Sequence, residues 1–230
     1  MYPILRRLFE RFERRAVTEF YPRENPLLGP INDTGLSVDE PQALSASAVL
    51  CAIRAISDPL GMLPLHLYRR TGNGKERAVD HPLYRLLHSA PNPLMTACEF
   101  REMLQAQVLI RGNAYAEIER DGDGRPLALW PLNANRMFVE VKDGAVLYHY
   151  TADDGTRVDL AKSQVLHIRG FALDGLLGLP LPKTCPNAIG LGLALEKFHA
   201  RFFRNGAAPR GILEYSGAMK EDQVKMLKQS

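Results

Sequence analysis

Apolar positions along this chain change period several times, and each change marks an element. Val49, Ile53, Ile56 and Leu60 recur at i, i+4, i+7 and i+11, the spacing of one helix face. Pro59 is expected to end or kink that helix at Asp58, because proline has no N–H and its ring collides with the preceding turn. Leu65 and Leu67 alternate with His66 and Tyr68, which predicts a strand, and Thr71-Gly72-Asn73-Gly74 predicts the tight turn after it. A short helix is expected over Asp80–His88, stopped by Pro91-Asn92-Pro93. Thr96 and Glu99 then stand at capping-box spacing, with Phe100, Met103, Leu104 and Val108 forming an apolar face behind them and Gly112 ending the helix.

From here the period is that of strands. Tyr115–Arg120, Leu127–Trp130, Met137–Val141, Val146–Tyr150, Thr156–Leu160 and Val165–Ile168 read as short strands, with Asp121-Gly122-Asp123-Gly124, Gly144 and Gly155 in turns. After Pro186 the helical period returns as Leu191, Leu195, Phe198 and Phe202. Asn187 is the expected N-cap, Arg201 and Arg204 occupy the last turn, and Gly206 stands at the position just past the end. A strand at Gly211–Tyr215 and a helix from Met219 follow, and that helix pattern still runs at Ser230, which suggests a chain cut short. The fold class expected is α+β: mixed helices with an antiparallel sheet or small β-barrel, ending in a truncated helix.

Charge is localised. Residues 1–23 hold six arginines against three glutamates, which accounts for the whole net charge of +3, so residues 24–230 balance to zero. Residues 3–20 can form a basic amphipathic helix, and the prolines and glycines that follow read as a linker. The organisation expected is a basic arm over 1–23, a Pro/Gly linker over 24–41, and an α/β body over 42–230. No apolar run approaches the roughly 18–20 residues of a membrane span. The three cysteines lie far apart without metal-ligand spacing, which fits a reducing compartment.

Reactive chemistry is sparse. Asp121-Gly-Asp123-Gly124 begins like a calcium loop, but the position that needs a bidentate glutamate is Leu132, so a hairpin turn is the better reading. Gly190-Leu-Gly192 lacks the third glycine of a dinucleotide fingerprint and does not follow a strand. The six histidines show no ligand spacing. Trp130 and Tyr115 read as core, and Arg69 and Arg70 as a solvated basic corner. A metal-dependent hydrolase using Asp153, Asp154 and Asp159 is the rival enzymatic reading. No cofactor is expected.

Six blocks in fixed order carry a resemblance: LSASAVLCAIRAI from Leu44, LPLHLYRR from Leu63, DHPLYRLLHSAPNPLMTACEF from Asp80, RGNAYAEIERDGDGRPLALWPL from Arg111, VLHIRGF from Val165 and ARFFRNGAAPRGIL from Ala200. In this order and spacing the chain resembles the portal proteins of tailed bacteriophages. The resemblance implies a non-enzymatic subunit of a twelve-membered ring at one capsid vertex. Double-stranded DNA would pass through it without sequence specificity. The implied partners are other copies of the chain, the terminase large subunit, a head–tail adaptor and the major capsid or scaffold protein. The implied location is the virion, after assembly in the host cytoplasm. The body would be wing-like, with the second half of the family's length absent. Gly112 with Asn113, and Asn205 with Gly206, match the family's Gly-Asn and Asn-Gly pairs and are expected to shape the backbone. Phe198, Phe202 and Phe203 are expected at a subunit interface or the adjoining core. Pro59, Pro180, Pro182 and Pro186 depart from the family pattern and put two helix lengths in question. The alternatives are a head–tail adaptor or capsid scaffold without a channel, or a decayed prophage fragment.

Overall fold

The computed structural model describes residues 33–207 except 37, 143 and 174. The arm over 1–23, most of the linker, the strand expected at 211–215 and the helix expected from Met219 lie outside the described residues. The chain divides into two compact units, residues 1–194 and 195–230.

The first unit opens with two helices, α1 (Glu40–Ser45) and α2 (Ser47–Met62), and a hairpin of β1 (Tyr68–Thr71) and β2 (Gly74–Arg77). Helices α3 (Pro82–His88) and α4 (Ala97–Arg111) lead into β3 (Asn113–Arg120) and β4 (Pro126–Leu132). Strands β5 (Met137–Lys142), β6 (Ala145–Thr151), β7 (Arg157–Ala161) and β8 (Val165–Arg169) follow. A one-turn helix α5 (Leu181–Thr184) precedes α6 (Pro186–Arg204), which runs on into the second unit. The strands form three antiparallel sheets in the orders β1-β2, β4-β3-β8 and β5-β6-β7. The class is α+β as expected, but among the described residues no barrel closes.

Strand β3 holds the centre because both its faces are covered. Ala114 and Ala116 point into a cluster with Leu86, Phe100, Leu104 and Leu129, while Tyr115 points the other way, among Leu132, Val139, Tyr148, Leu160 and Val165. Successive strand residues face opposite sides, so one strand joins a helix-covered layer to a sheet-covered one. A third cluster, Val38, Ala43, Ile53, Ile110 and Ile189, binds the helices.

Local chemistry explains most boundaries. Thr96 accepts the Glu99 N–H at 3.3 Å, and Glu99 accepts the Thr96 N–H at 2.7 Å, so the capping box starts α4 as expected. The strand expected at residues 65–68 begins only at Tyr68. The segment before it is tied to α3 instead: the His88 ring bonds the Leu65 carbonyl at 3.2 Å and stacks on His66 at 4.7 Å. Helix α2 does not stop at Asp58 but continues through Pro59 to Met62. Its last turn is held from outside, because the Arg101 guanidinium donates to the Gly61 carbonyl at 2.7 Å and to the Leu87 carbonyl at 2.9 Å. One cation from α4 thus satisfies carbonyls near the ends of both α2 and α3, where the macrodipole is negative. Asn187 lies inside α6 and is not its N-cap, since Pro186 takes the first helical position, where a missing N–H is harmless. The Asn187 amide instead donates to the Asp33 carboxylate at 3.0 Å. The prolines at 180 and 186 fall at helix starts, so neither interrupts a helix.

Replacing Arg101 with methionine keeps the stem but removes both carbonyl contacts. Arg101→Met should lower the unfolding free energy by about 2 kcal/mol in urea titration, with little change in far-ultraviolet circular dichroism.

Candidate functional site

Arg111, Gly112 and Asn113 are consecutive, and each holds a different part of the first unit. Arg111 lies in the last turn of α4. Its Nε and one terminal nitrogen donate to the Glu40 carboxylate at 2.9 and 2.7 Å, and the other terminal nitrogen donates to Asn133 Oδ1 at 2.9 Å. Asn135 donates to the second Glu40 oxygen at 2.7 Å. Burial alone would raise the Glu40 carboxyl, but the hydrogen bonds from Arg111 and Asn135 and the guanidinium charge hold it below its ordinary value. This ties α1 to α4 and to the turn before β5.

Gly112 ends α4 in the left-handed region, with φ +77, and its N–H donates to the Val108 carbonyl at 2.9 Å. It is also a crossing point. Its carbonyl accepts the Gly170 N–H at 2.8 Å, while Gly178 packs directly on it. A Cβ on Gly112 would collide with the Gly178 carbonyl and lie 2.6 Å from the carbonyl carbon of Leu179. A Cβ on Gly178 would collide in turn with the Gly112 carbonyl and lie 2.9 Å from the Gly170 nitrogen. Two facing glycines let these backbones touch.

Asn113 fastens the crossing. It is 7% exposed. Its Oδ1 accepts the Gly178 N–H at 2.8 Å and its Nδ2 donates to the Gly178 carbonyl at 3.0 Å, so the amide pairs with both backbone groups of one residue. His167 Nε2 lies 3.0 Å from the same Oδ1, and Tyr148 Oη lies 3.2 Å from His167 Nδ1. Burial, helped by the nearby Arg169 charge, pushes His167 down to about 4, so the ring is neutral. Asn113 Oδ1 can only accept, so Nε2 carries the proton and Nδ1 accepts from the tyrosine. Burial also raises the Tyr148 phenol, which keeps that donor protonated. The relay Tyr148–His167–Asn113–Gly178 is continuous, each side chain in it bonded to the next.

The described part of the second unit, residues 195–207, is the C-terminal stretch of α6 and its ending. The Gly206 N–H donates to the Phe203 carbonyl at 3.0 Å, and the Ala207 N–H to the Phe202 carbonyl at 3.1 Å. These are the two bonds of a Schellman ending, in which Asn205 is the cap and Gly206, with φ +80, is the left-handed residue. Phe198, Phe202 and Phe203 are 63%, 42% and 69% exposed.

A profile of the phage portal protein family matches residues 47–230. The chain belongs to that family. It is 34% identical over 211 residues to the portal protein of Enterobacteria phage HK97, an alignment covering 89% of this chain and 49% of that protein. The chain thus spans about half the length of the curated portal relatives it matches. Among solved structures, it shares the fold of a chain in the neck of a native gene transfer agent particle computed with C12 symmetry (TM-score 0.61, 21% identity, covering 94% of this chain and 58% of that one). It also shares the fold of an HK97-family portal protein from Corynebacterium diphtheriae (TM-score 0.52, 18% identity, covering 84% and 59%).

Portal proteins are structural and not enzymatic, and the residues weighed for chemistry have structural uses here. Asp121 accepts the Asp123 and Arg125 N–H groups at 3.0 and 2.7 Å, closing the β3–β4 turn. Of the three aspartates weighed as metal ligands, Asp153 pairs with Arg136, Asp154 accepts the Thr156 N–H at 2.8 Å and Asp159 meets His149 at 2.6 Å. Arg69 and Arg70 are exposed as expected, and Arg69 pairs at the surface with Asp80 at 2.9 Å. Tyr115 is buried, but Trp130 is only half-buried; it lines an open groove of about 660 Å³ with Leu94, Leu127 and Glu119, and donates to Glu119 at 2.6 Å. His167, Tyr148, Arg101 and Gly178 went unrecognised as a set, because their partners stand 14 to 65 residues away and no local spacing marks them.

Asn113→Ala should remove both side-chain hydrogen bonds to the Gly178 backbone and lower stability by about 3 kcal/mol, read from urea or thermal unfolding. Asn113→Asp should be at least as harmful, because it sets a carboxylate oxygen against the Gly178 carbonyl. The His167 ring adds a pH dependence. Its folded value of about 4 lies below the ordinary 6.5, so the unfolded chain takes up the proton first. The associated stability is whole above pH 6.5 and is lost as the pH falls from there toward 4. Discounted for partial solvent access, it amounts to about 2 kcal/mol. His167→Gln should flatten the melting temperature across this window.

Proposed function

We propose that this chain forms the wing-like body of a portal subunit, one of a ring at a single capsid vertex. Double-stranded DNA passes through the ring during packaging and ejection. In this reading the subunit contacts its own copies, the terminase large subunit, a head–tail adaptor and the major capsid or scaffold protein, and resides in the virion. The observation that carries the reading is the family match over residues 47–230, together with 34% identity to a protein named as a portal.

Two physical features support it. A conduit must not grip its cargo, and residues 24–230 carry no net charge, so they lack the counterion-release drive of a basic groove. A ring subunit must also keep apolar surface for its neighbours, and the three phenylalanines near the end of α6 remain exposed in the single chain. We assign Phe198, Phe202 and Phe203 to the subunit contact, with the Asn205-Gly206 ending fixing where the helix stops.

The test is negative-stain electron microscopy and native mass spectrometry on the gene product expressed from its own start to its own stop codon. Rings with an axial hole are expected. A ring without a hole would favour an adaptor, and monomers throughout would overturn the reading. Phe202→Asp should abolish rings while leaving the circular dichroism spectrum unchanged, and normal rings from this variant would remove Phe202 from the contact.

A further inference from the structure

Two apolar helix faces stay in water in the folded chain, and they are different faces. On α2 the spacing of Val49, Ile53, Ile56 and Leu60 marks one apolar helix face. In the structure α4 packs against the arc of Ile53, Ser57 and Gly61, so that a Cβ on Gly61 would stand 3.0 Å from Glu102 Cβ. The adjoining arc is left outside: Ile56 is 49%, Leu60 40% and Leu63 64% exposed. On α6, Ile189 and Gly190 are buried, whereas Leu191 is 55%, Leu195 48%, Phe198 63% and Phe202 42% exposed.

The two strips are alike in length and chemistry. Ala52 to Leu63 spans about 17 Å, and Leu191 to Phe202 about 17 Å, at 1.5 Å per residue. Neither strip contains a charged residue. Arg54 and Asp58 pair with each other off the α2 strip, at 3.4 Å, and Lys197, Arg201 and Arg204 fall on other faces of α6. They differ in shape: the α2 strip is aliphatic, with the small, exposed Ala52 one turn before Ile56, while the α6 strip carries phenyl rings. Taking 150–250 Å² for an aromatic side chain, the exposed part of the α6 strip offers on the order of 300 Å². That is enough to form the centre of an interface of about 800 Å² per partner.

Symmetry decides the pairing. A two-fold dimer buries one patch against its own copy, whereas a ring needs two different patches that fit each other. We propose that the α6 strip of one copy docks on the α2 strip of the next, with the phenyl rings seated over Ala52, and that this pairing is the apolar centre of the head-to-tail contact. The proposal rests on the ring reading above and names the two faces that meet.

Disulfide trapping on the full gene product tests it. In a background of Cys51→Ser, Cys98→Ser and Cys185→Ser, Ile56→Cys and Phe198→Cys are introduced singly and together, and oxidised protein is run on non-reducing gels. The double variant should give a ladder of covalent multimers, and neither single variant should cross-link. Dimers from Phe198→Cys alone would mean two-fold pairing of α6. A cross-linked monomer would mean that the strips cover each other within one chain. Either result overturns the proposal. Rings visible by microscopy with no cross-link would overturn it while leaving the ring reading intact, and absence of rings from the wild type would sink the ring reading itself. Charge rescue guards against a cysteine background that folds poorly. Ile56→Lys and Phe198→Glu should each abolish rings and together restore them, and failure of the pair to restore them would also count against the contact.

Discussion

The first unit depends on a backbone crossing that only glycine permits. At the end of α4 the chain must leave the helix, enter the central strand β3 and still let the loop after β8 pass over the junction. Gly112 and Gly178 meet there with no room for a side chain on either, and the Gly112 carbonyl also takes the Gly170 N–H. Such an approach would strand the polar groups of the crossing loop away from water if nothing answered them. Asn113 answers them with one amide, matching a donor and an acceptor to Gly178 much as a neighbouring strand would. Arg111, one residue before the glycine, turns the same point into an anchor for α1 and for the turn before β5. Three adjacent residues therefore relate helices, central sheet and loop to one another.

The elements themselves were legible because their signals are local. The Thr96/Glu99 box, Gly112 after α4, and the glycine turns between β5, β6 and β7 each declare a boundary within a few residues. What escaped was whatever depends on a distant partner. Pro59 reads as a stop, yet α2 runs on to Met62, where Arg101, forty residues after Gly61, holds the Gly61 carbonyl. Leu65 and Leu67 alternate like strand residues, yet the hydrogen bonds they could make to a strand go instead to the end of α3 and to Ala78. Asn187 has the chemistry of a cap, but proline at the preceding position suits the helix start better and leaves the amide free to hold Asp33.

Apolar periodicity has a more instructive limit. It reports that a face avoids water, but not what covers it. For β3 and α4 the cover is inside the chain, and the reading of core was right. For Ile56 and Leu60 on α2, and for Leu195, Phe198 and Phe202 on α6, the folded chain leaves the face exposed. A lone exposed leucine needs no explanation, but a charge-free strip maintained over three helical turns does. Under the ring reading proposed above such strips have a physical reason, since a subunit of an assembly divides its apolar residues between its own core and its neighbours.

A histidine displaced to about 4 often marks a catalytic centre, because active sites are where environments shift protons. Here the cause points elsewhere. The shift comes first from burial, and both ring nitrogens are engaged, one by a protonated phenol and one by an amide oxygen that also holds Gly178. A general base needs a free lone pair facing a substrate, and this ring has none. The open groove of the first unit is lined by Trp130, Leu94 and Glu119, none of them part of this network. A neutral, doubly bonded imidazole in such a place fixes the position of β8 against β3 and β6, and it does so without adding a charge that would have to be solvated. The same desolvation that would tune a catalyst serves here to keep the joint between two sheets and a crossing loop in one arrangement.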